Sequence, residues 1–329
     1  MRIALDAMGG DNSPAVPVRG GVEALQHLES DFELLLVGDP GAIEEELEGQ
    51  GIPGDRLRII PASGVIGMGD APVESVRRKP DSSIVRGVQL QESGEADAFV
   101  SAGSTGAIVA ASTLILGSMP GMDRPAIGAL LPTTAARPTL MVDAGANVDC
   151  KPEQLEEFAH LGHVYMQDVE GRQGPKVGLL NICAEPDKGN ELTLEAYRLL
   201  ERSGLNFIGN VEGRYFVTGV CDVLVCDGFV GNVVLKSYES VAEQVAHLVS
   251  RTAAGTEDYV DLLAVCRVLD YAEHGGAPLL GANGVTIICH GDSPARAIRN
   301  AVRVAARSVE SGMVEHLRRE LSSLASARA

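Results

Sequence analysis

The sequence predicts an α/β protein, a three-layer, doubly wound, mostly parallel sheet with helices on both faces. Three observations predict it. Short apolar runs alternate with helical stretches, and each run opens onto a small polar loop, which is the pattern of a parallel sheet with helical crossovers. The chain has 329 residues, 45% of them hydrophobic, enough for a large core in one big or two modest domains. No Pro/Ser/Gly linker or low-complexity tract interrupts it, so residues 1–329 read as a single continuous body. With only 4% aromatic residues and no Trp, the core is expected to be aliphatic.

Taken in order, residues 2–6 form a first strand that opens onto Met8, Gly9, Gly10 and Asp11. Residues 98–101 form another, followed by Gly103, Ser104, Thr105 and Gly106 and a helix-like stretch over 108–116. This turn has the makings of an anion site. Glycines let an oxyanion approach the chain, and free N–H groups meet it at the positive end of a helix dipole. Ser104 and Thr105 add hydroxyl donors. Residues 139–143 lead into Ala144-Gly-Ala-Asn147, with a helix from Pro152. Residues 176–182 lead into Glu185-Pro-Asp-Lys-Gly-Asn190 and a helix from Glu191. Residues 221–226 lead into Asp227-Gly-Phe-Val-Gly-Asn232 and a further helix. Residues 284–289 lead into His290-Gly-Asp-Ser293, Pro294 and a long helix, with Ser293 read as its N-cap and Pro294 as its first residue. Sheets of this kind gather their sites at the carboxyl ends of the strands, where these loops lie.

The formal net charge is −18. Long-range repulsion opposes generic binding to nucleic acid or anionic membrane, so an acidic partner needs a local basic face. Arg296, Arg299, Arg303 and Arg307 fall on one face of the last long helix by their spacing. Arg77, Arg78 and Lys79 form a second basic cluster. No apolar run reaches the roughly 18 residues that span a bilayer, and the N-terminus carries no cleavable signal pattern. The expected location is cytoplasmic, at most peripheral to a membrane.

Several chemistries are excluded by inspection. The chain has no G-x-G-x-x-G, no G-x-x-x-x-G-K-[ST] and no G-x-S-x-G. Its six cysteines match no zinc spacing and read as buried thiols. His160 and His163 lack an acidic or Cys partner nearby and read as a surface pair. No metal and no cofactor is expected. Anion loops without a covalent nucleophile or metal cage suggest a reaction in which the substrate is itself the nucleophile, as inorganic phosphate would be.

Seven motifs stand in order: Ile3-Ala-Leu-Asp-Ala-Met-Gly-Gly-Asp11, Ser101-Ala-Gly-Ser-Thr-Gly-Ala107, Val142-Asp-Ala-Gly-Ala-Asn-Val-Asp-Cys-Lys-Pro152, Lys188-Gly-Asn-Glu-Leu192, Asn210-Val-Glu-Gly213, Cys226-Asp-Gly-Phe-Val-Gly-Asn232 and Tyr271-Ala-Glu-His-Gly-Gly-Ala-Pro-Leu-Leu280. Together they resemble, from end to end, the bacterial phosphate acyltransferase family of phospholipid synthesis, the PlsX family. The resemblance implies a fold similar to phosphotransacetylases and isopropylmalate dehydrogenases, a homodimer, and transfer of a fatty acyl group from acyl carrier protein to inorganic phosphate. The acyl phosphate would feed a membrane glycerol-3-phosphate acyltransferase. Two other classes remain in view. A non-catalytic acyl carrier protein sensor would keep the docking face and lose turnover. A nicotinamide-dependent dehydrogenase of related fold would need metal-binding aspartates that the sequence does not offer.

Phosphate is already an anionic nucleophile and a thiolate a good leaving group, so the chemistry needs charge neutralisation, placement and oxyanion donors. Lys188 can hold phosphate as a point charge, and the Asn232 amide can donate to phosphate or to the oxyanion. Gly103, Ser104, Thr105, Gly106, Asn147 and Asn190 are candidate substrate contacts. Asp6 and Asp143, at strand ends, are expected to orient loops. The arginines at 296, 299, 303 and 307 are the expected carrier-protein docking face. The small-residue helix over 108–116 is a candidate wall for an acyl channel. Departures from the family pattern are Ser104 in place of Asn, Cys183 in place of Gly, and Pro186 in a normally acidic run.

Residues 237–271 read as a helical hairpin turning at 253–256. One arm carries Val241, Val245, Leu248 and Val249, the other Tyr259, Leu262, Leu263, Cys266 and Leu269. Its acidic tip of Glu257, Asp258 and Asp261 argues for weak or no direct membrane binding. The apolar stripe is expected to meet the dimer partner or the acyl chain.

Overall fold

The computed structural model describes residues 1–51, 55–135, 137–253, 273 and 275–328. The chain begins with β1 (Arg2–Asp6), α1 (Ala15–His27) and β2 (Glu33–Gly38). Helix α2 (Pro40–Leu47) starts where the Asp39 carboxylate accepts from the Ala42 N–H at 2.9 Å and Pro40 supplies a preset first residue. Then come β3 (Leu57–Pro61), α3 (Pro72–Arg78), α4 (Ser83–Glu92) and β4 (Ala98–Ser101). Helix α5 (Thr105–Ala111) runs on into a π-helical turn, Ser112–Leu116, and stops at Gly117, whose φ of 76° suits glycine. Strands β5 (Ala126–Leu131) and β6 (Thr139–Val142), helix α6 (Pro152–Asp168), strand β7 (Lys176–Asn181) and helix α7 (Glu191–Arg202) follow. After β8 (Asn206–Glu212) and β9 (Val223–Val225) comes the long α8 (Gly228–Ala253). The chain closes with β10 (Ala277–Leu280), β11 (Val285–Ile288), α9 (Ala295–Glu310) and α10 (Met313–Arg328).

The chain divides into two compact units. The first comprises Met1–Ile127, Val164–Gln173 and Gly275–Ala329. Its strands are ordered β3-β2-β1-β4-β11-β10, all parallel except β10, which runs against β11. The chain winds outward from β1 through β2 to β3, then returns to place β4 on the other side of β1. That reversal is the doubly wound signature, and it opens a crevice beyond the carboxyl ends of β1 and β4. Ile3, Ala4, Leu5, Leu34, Leu35, Leu36, Phe99 and Val100 are fully enclosed, so these strands read as continuous apolar runs because both of their faces are covered. Helix α9 lies on α1 so closely that a Cβ at Gly20 would stand 2.6 Å from the Ile298 Cβ.

The second unit comprises Gly128–His163 and Gly174–His274. Its strands are ordered β5-β6-β9-β7-β8; β6 runs against β5 and parallel to β9, and β7 is parallel to both β9 and β8. The loops after β6, β9 and β7 therefore leave the same end of the sheet. Two of the four crossings between units fall inside elements, β5 and α6.

Three local expectations need correction. Helix α9 begins one residue later than the Ser-Pro signature suggests, with Pro294 at the N-cap, and Ser293 is buried without capping it. His160 is 5% exposed rather than on the surface, because α6 is enclosed continuously from Gln154 to Gly162. The first arm of the expected hairpin begins at Gly228, not near residue 237, and its second arm lies outside the described residues. Among the described residues no helix is long and apolar enough to cross a membrane.

Candidate active site

In the first unit, the loops at the crevice are organised by Asp6. Its carboxylate, 1% exposed, accepts from the Met8 N–H at 3.0 Å and from the Ser101 hydroxyl at 2.7 Å. Burial raises its pKa above the usual carboxylate range, while the hydrogen bonds from Ser101, Met8 and Gly9 oppose that shift. Ser101 Oγ in turn accepts from the Gly103 N–H at 3.0 Å. The Gly103 N–H, expected to face an anion, is thus already engaged. Ser104 is buried at the start of α5 with its hydroxyl making no cap bond, and Thr105 is exposed. Gly106 serves packing, since a Cβ there would stand 2.7 Å from Pro72 Cγ of α3. A cavity of about 190 Å³ opens beside this network, lined among others by Asp6, Gly10, Val65, Met68, Ser83 and Gly103. The small residues Ala107, Ala110 and Ala111 of α5 are buried.

In the second unit, Asp143 plays the corresponding part for the loop after β6. It is fully buried, and its Oδ1 accepts from the N–H groups of Gly145 and Ala146, both at 3.1 Å. Its Oδ2 accepts from the Asn147 N–H at 2.7 Å and from the Asn147 side-chain amide at 3.0 Å. Asn147 is 1% exposed, so its amide shapes the loop as well as bordering it. The start of α8 fits into this loop through two glycines. The Gly228 N–H donates to Asn147 O at 2.7 Å, and a Cβ on Gly231 would stand 1.9 Å from Asp143 O. The Asp227 carboxylate accepts from the Val230 N–H at 2.9 Å and so caps α8. Asn232 lies one turn inside α8, exposed, with its side chain over Gly145.

The loop after β7 is pinned by two asparagines that the sequence reading assigned no role. Asn181 Nδ2 donates to Lys188 O at 3.0 Å, and Asn210 Nδ2 donates to Glu185 O at 2.8 Å. Gly189, at φ 120°, packs so tightly that a Cβ would stand 2.2 Å from Thr193 Oγ1. Lys188 is exposed, its ammonium 3.8 Å from Asp187. Asn190 is the N-cap of α7: its Oδ1 accepts from the Thr193 N–H at 2.9 Å, which commits that oxygen to the helix.

Thiols near these loops are held protonated. Cys150, half-buried, has its pKa pushed up to about 11 by burial, with the carboxylates of Asp143, Asp227 and Asp149 adding to it. Cys226 is raised further, again first by burial and then by Asp143 and Asp227. Neither is a nucleophile near neutral pH. Among the described residues, no group of three or more His, Cys, Asp or Glu side chains could hold a metal ion.

The arginines of α9 are partly committed. Arg299 lies 3.9 Å from Glu23, and Arg307 pairs with Glu170 at 3.4 Å while also donating to Val169 O.

The fold defines the class first. Over 94% of its length the chain is similar to a phosphotransacetylase from Streptococcus pyogenes, with a TM-score of 0.66, 18% identity and 94% of that chain covered. It is similar over the same share to a branched-chain phosphotransacylase from Enterococcus faecalis V583, with a TM-score of 0.59, 13% identity and 99% of that chain covered. At such identities the likeness establishes the α/β fold alone.

Sequence carries the rest. Residues 1–316 match the family described as fatty acid synthesis protein. The phosphate acyltransferase of Desulforamulus reducens is 50% identical over 98% of this chain and 97% of its own length. That of Desulfitobacterium hafniense strain DCB-2 is 49% identical over 98% of each. The chain belongs to this family, the PlsX family, and is an acyltransferase.

Proposed function

We propose that the chain transfers a fatty acyl group from acyl carrier protein to inorganic phosphate, and that phosphate attacks the thioester directly. The observation that carries this reading is the near-full-length identity of about half to relatives named phosphate acyltransferase. The protonated thiols of Cys150 and Cys226 support direct attack over a thiol-bound acyl intermediate.

In this mechanism a phosphate oxygen bonds to the thioester carbonyl carbon, whose oxygen becomes an oxyanion. The carbon–sulfur bond then breaks, the carrier leaves as a thiolate and takes a proton from solvent, and acyl phosphate remains. Lys188 neutralises phosphate, and Asn232 donates to phosphate or to the oxyanion. The Asp143 loop and the start of α8 hold Asn232 in place before substrate arrives. Gly103, Ser104, Thr105 and Gly106, in the first unit, contribute substrate contacts through their remaining donors. No metal or cofactor takes part. The protein works as a homodimer in the cytoplasm, with the exposed α8 residues Val241, Val245 and Leu248 facing the partner. Its product supplies a membrane glycerol-3-phosphate acyltransferase.

The test is incubation of acyl carrier protein thioester with and without phosphate, with hydroxylamine to trap acyl phosphate. Phosphate-dependent hydroxamate supports the reading. Carrier binding without any hydroxamate would make the protein a sensor.

A further inference from the structure

The donor proposed above is an acidic protein, and a chain of net charge −18 repels it over most of its surface. The arginines of α9 looked suited to receive it. Yet Arg299 and Arg307 face Glu23 and Glu170, and among the described residues α9 exposes no large hydrophobic side chain. A specific protein interface needs an apolar centre inside its charged rim.

Such a centre exists elsewhere in the first unit. Among its described residues, the exposed large hydrophobic side chains are Val65, Met68 and Val73, with Leu114 in the turn that follows α5. Val65 and Met68 also line the cavity beside Asp6. Val73, Pro72, Arg77 and Arg78 line a groove along α3. Groove and cavity flank the same glycine turn: Gly103 lines the cavity, and Gly106 lies against Pro72. Arg78 is held by Glu74 at 2.7 Å and Lys79 by Asp70 at 2.7 Å, whereas Arg77 is exposed and, among the described residues, takes part in no ion pair.

We propose that this patch is the docking surface for the acyl carrier protein. Val65, Met68 and Val73 form its apolar centre, Arg77 meets the carrier's acidic surface, and the thioester arm enters the cavity past Val65 and Met68. The proposal rests on acyl carrier protein being the donor. A protein fits better than a membrane, because the exposed apolar side chains border a cavity and a groove that can receive a partner's side chains and thioester arm.

The experiment measures hydroxamate formation against carrier concentration at fixed phosphate. The proteins are wild type, Arg77→Glu, Val73→Glu, and Arg299→Glu with Arg303→Glu, with melting temperatures as fold controls. Charge reversal on α3 should raise the carrier's apparent KM at least ~10-fold and flatten its salt dependence. Val73→Glu should raise the same KM, and the α9 pair should change it far less. An unchanged carrier KM in the α3 variants, or a comparable rise in the α9 variant, overturns the proposal. So does loss of the native oligomer in Val73→Glu, which would assign the patch to a second copy of the chain. Vesicle co-sedimentation abolished by Val73→Glu would assign it to a membrane and likewise overturn it. A wild type that forms hydroxamate from no acyl carrier protein at all refutes the donor assignment itself, and this proposal with it.

Discussion

Gly231→Ala adds one methyl group at the joint between α8 and the Asp143 loop. On the present backbone the new Cβ would stand 1.9 Å from Asp143 O and 3.0 Å from both the Asp143 carbonyl carbon and Cys226 Sγ. Two of these obstacles are backbone and the third is a buried sulfur, so none swings aside as a flexible side-chain end does. Ordinary contact begins near 3.4 Å, so helix and loop must part by roughly 1.5 Å. Overpacking of this kind costs typically about 1–3 kcal/mol, which in a chain of this size lowers the melting temperature by several degrees. The catalytic loss should be far larger. Displacing a positioned group by ~1 Å can cost ~100-fold, and Asn232 is the next residue along α8. Turnover is measured by hydroxylamine trapping at saturating donor and phosphate, beside Gly213→Ala, where nothing lies within 4 Å of the added methyl. A folded Gly231→Ala that turns over at nearly the wild-type rate would refute the claim that this joint positions Asn232.

Lys188→Ala and Asn232→Ala should each lower turnover at least ~100-fold with melting temperature little changed, the range for losing one transition-state donor; near-normal rates would remove that residue from the site. Cys150→Ser should retain turnover, and iodoacetamide should label native Cys150, Cys221 and Cys289 slowly at pH 7.5, since burial pushes them up to about 11, 12 and 12. The folded state keeps these thiols protonated, so the stability they contribute is present in full below pH 9 and is lost as pH rises toward 12. Denaturant titrations showing no alkaline loss across that window would contradict their burial. Leu248→Glu, at a position 60% exposed in the single chain, should weaken dimerisation in sedimentation velocity. An unchanged dimer would clear α8 of that role.

Strand-loop-helix order was legible because each loop announces itself with glycine and a polar residue after an apolar run. Asp6 and Asp143 were readable as loop organisers from their place at strand ends, and the structure shows them accepting N–H groups of the loops they begin. The division into units was not legible. It cuts β5 between Ile127 and Gly128, and α6 between His163 and Val164, where hydrogen-bonded elements leave no composition signal. The burial of His160 was hidden too. A helix carrying Glu156, Glu157 and His160 looks solvated by composition, yet all three are enclosed. Asn190 and Asn232 show the remaining difficulty. Asparagine serves caps, turns and ligands with the same amide, and only the folded chain distinguishes Asn190, which caps α7, from Asn232, which lies within α8. The clamps at Asn181 and Asn210 had a weak signal, an amide at or near the carboxyl end of each of two neighbouring strands.

The Asp143 carboxylate also constrains how this chain can vary among its descendants. Its two oxygens serve four N–H bonds from Gly145, Ala146 and Asn147. Asparagine, closest in shape, would turn one of those oxygens into a donor facing donors. Gly228 and Gly231 close the other side of the joint, where any larger residue collides with the same loop. Drift at these positions therefore cannot proceed by single neutral steps. Inheritance should hold Asp143, Gly228 and Gly231 together as one block, while a neighbour such as Val148, 58% exposed, is left to wander.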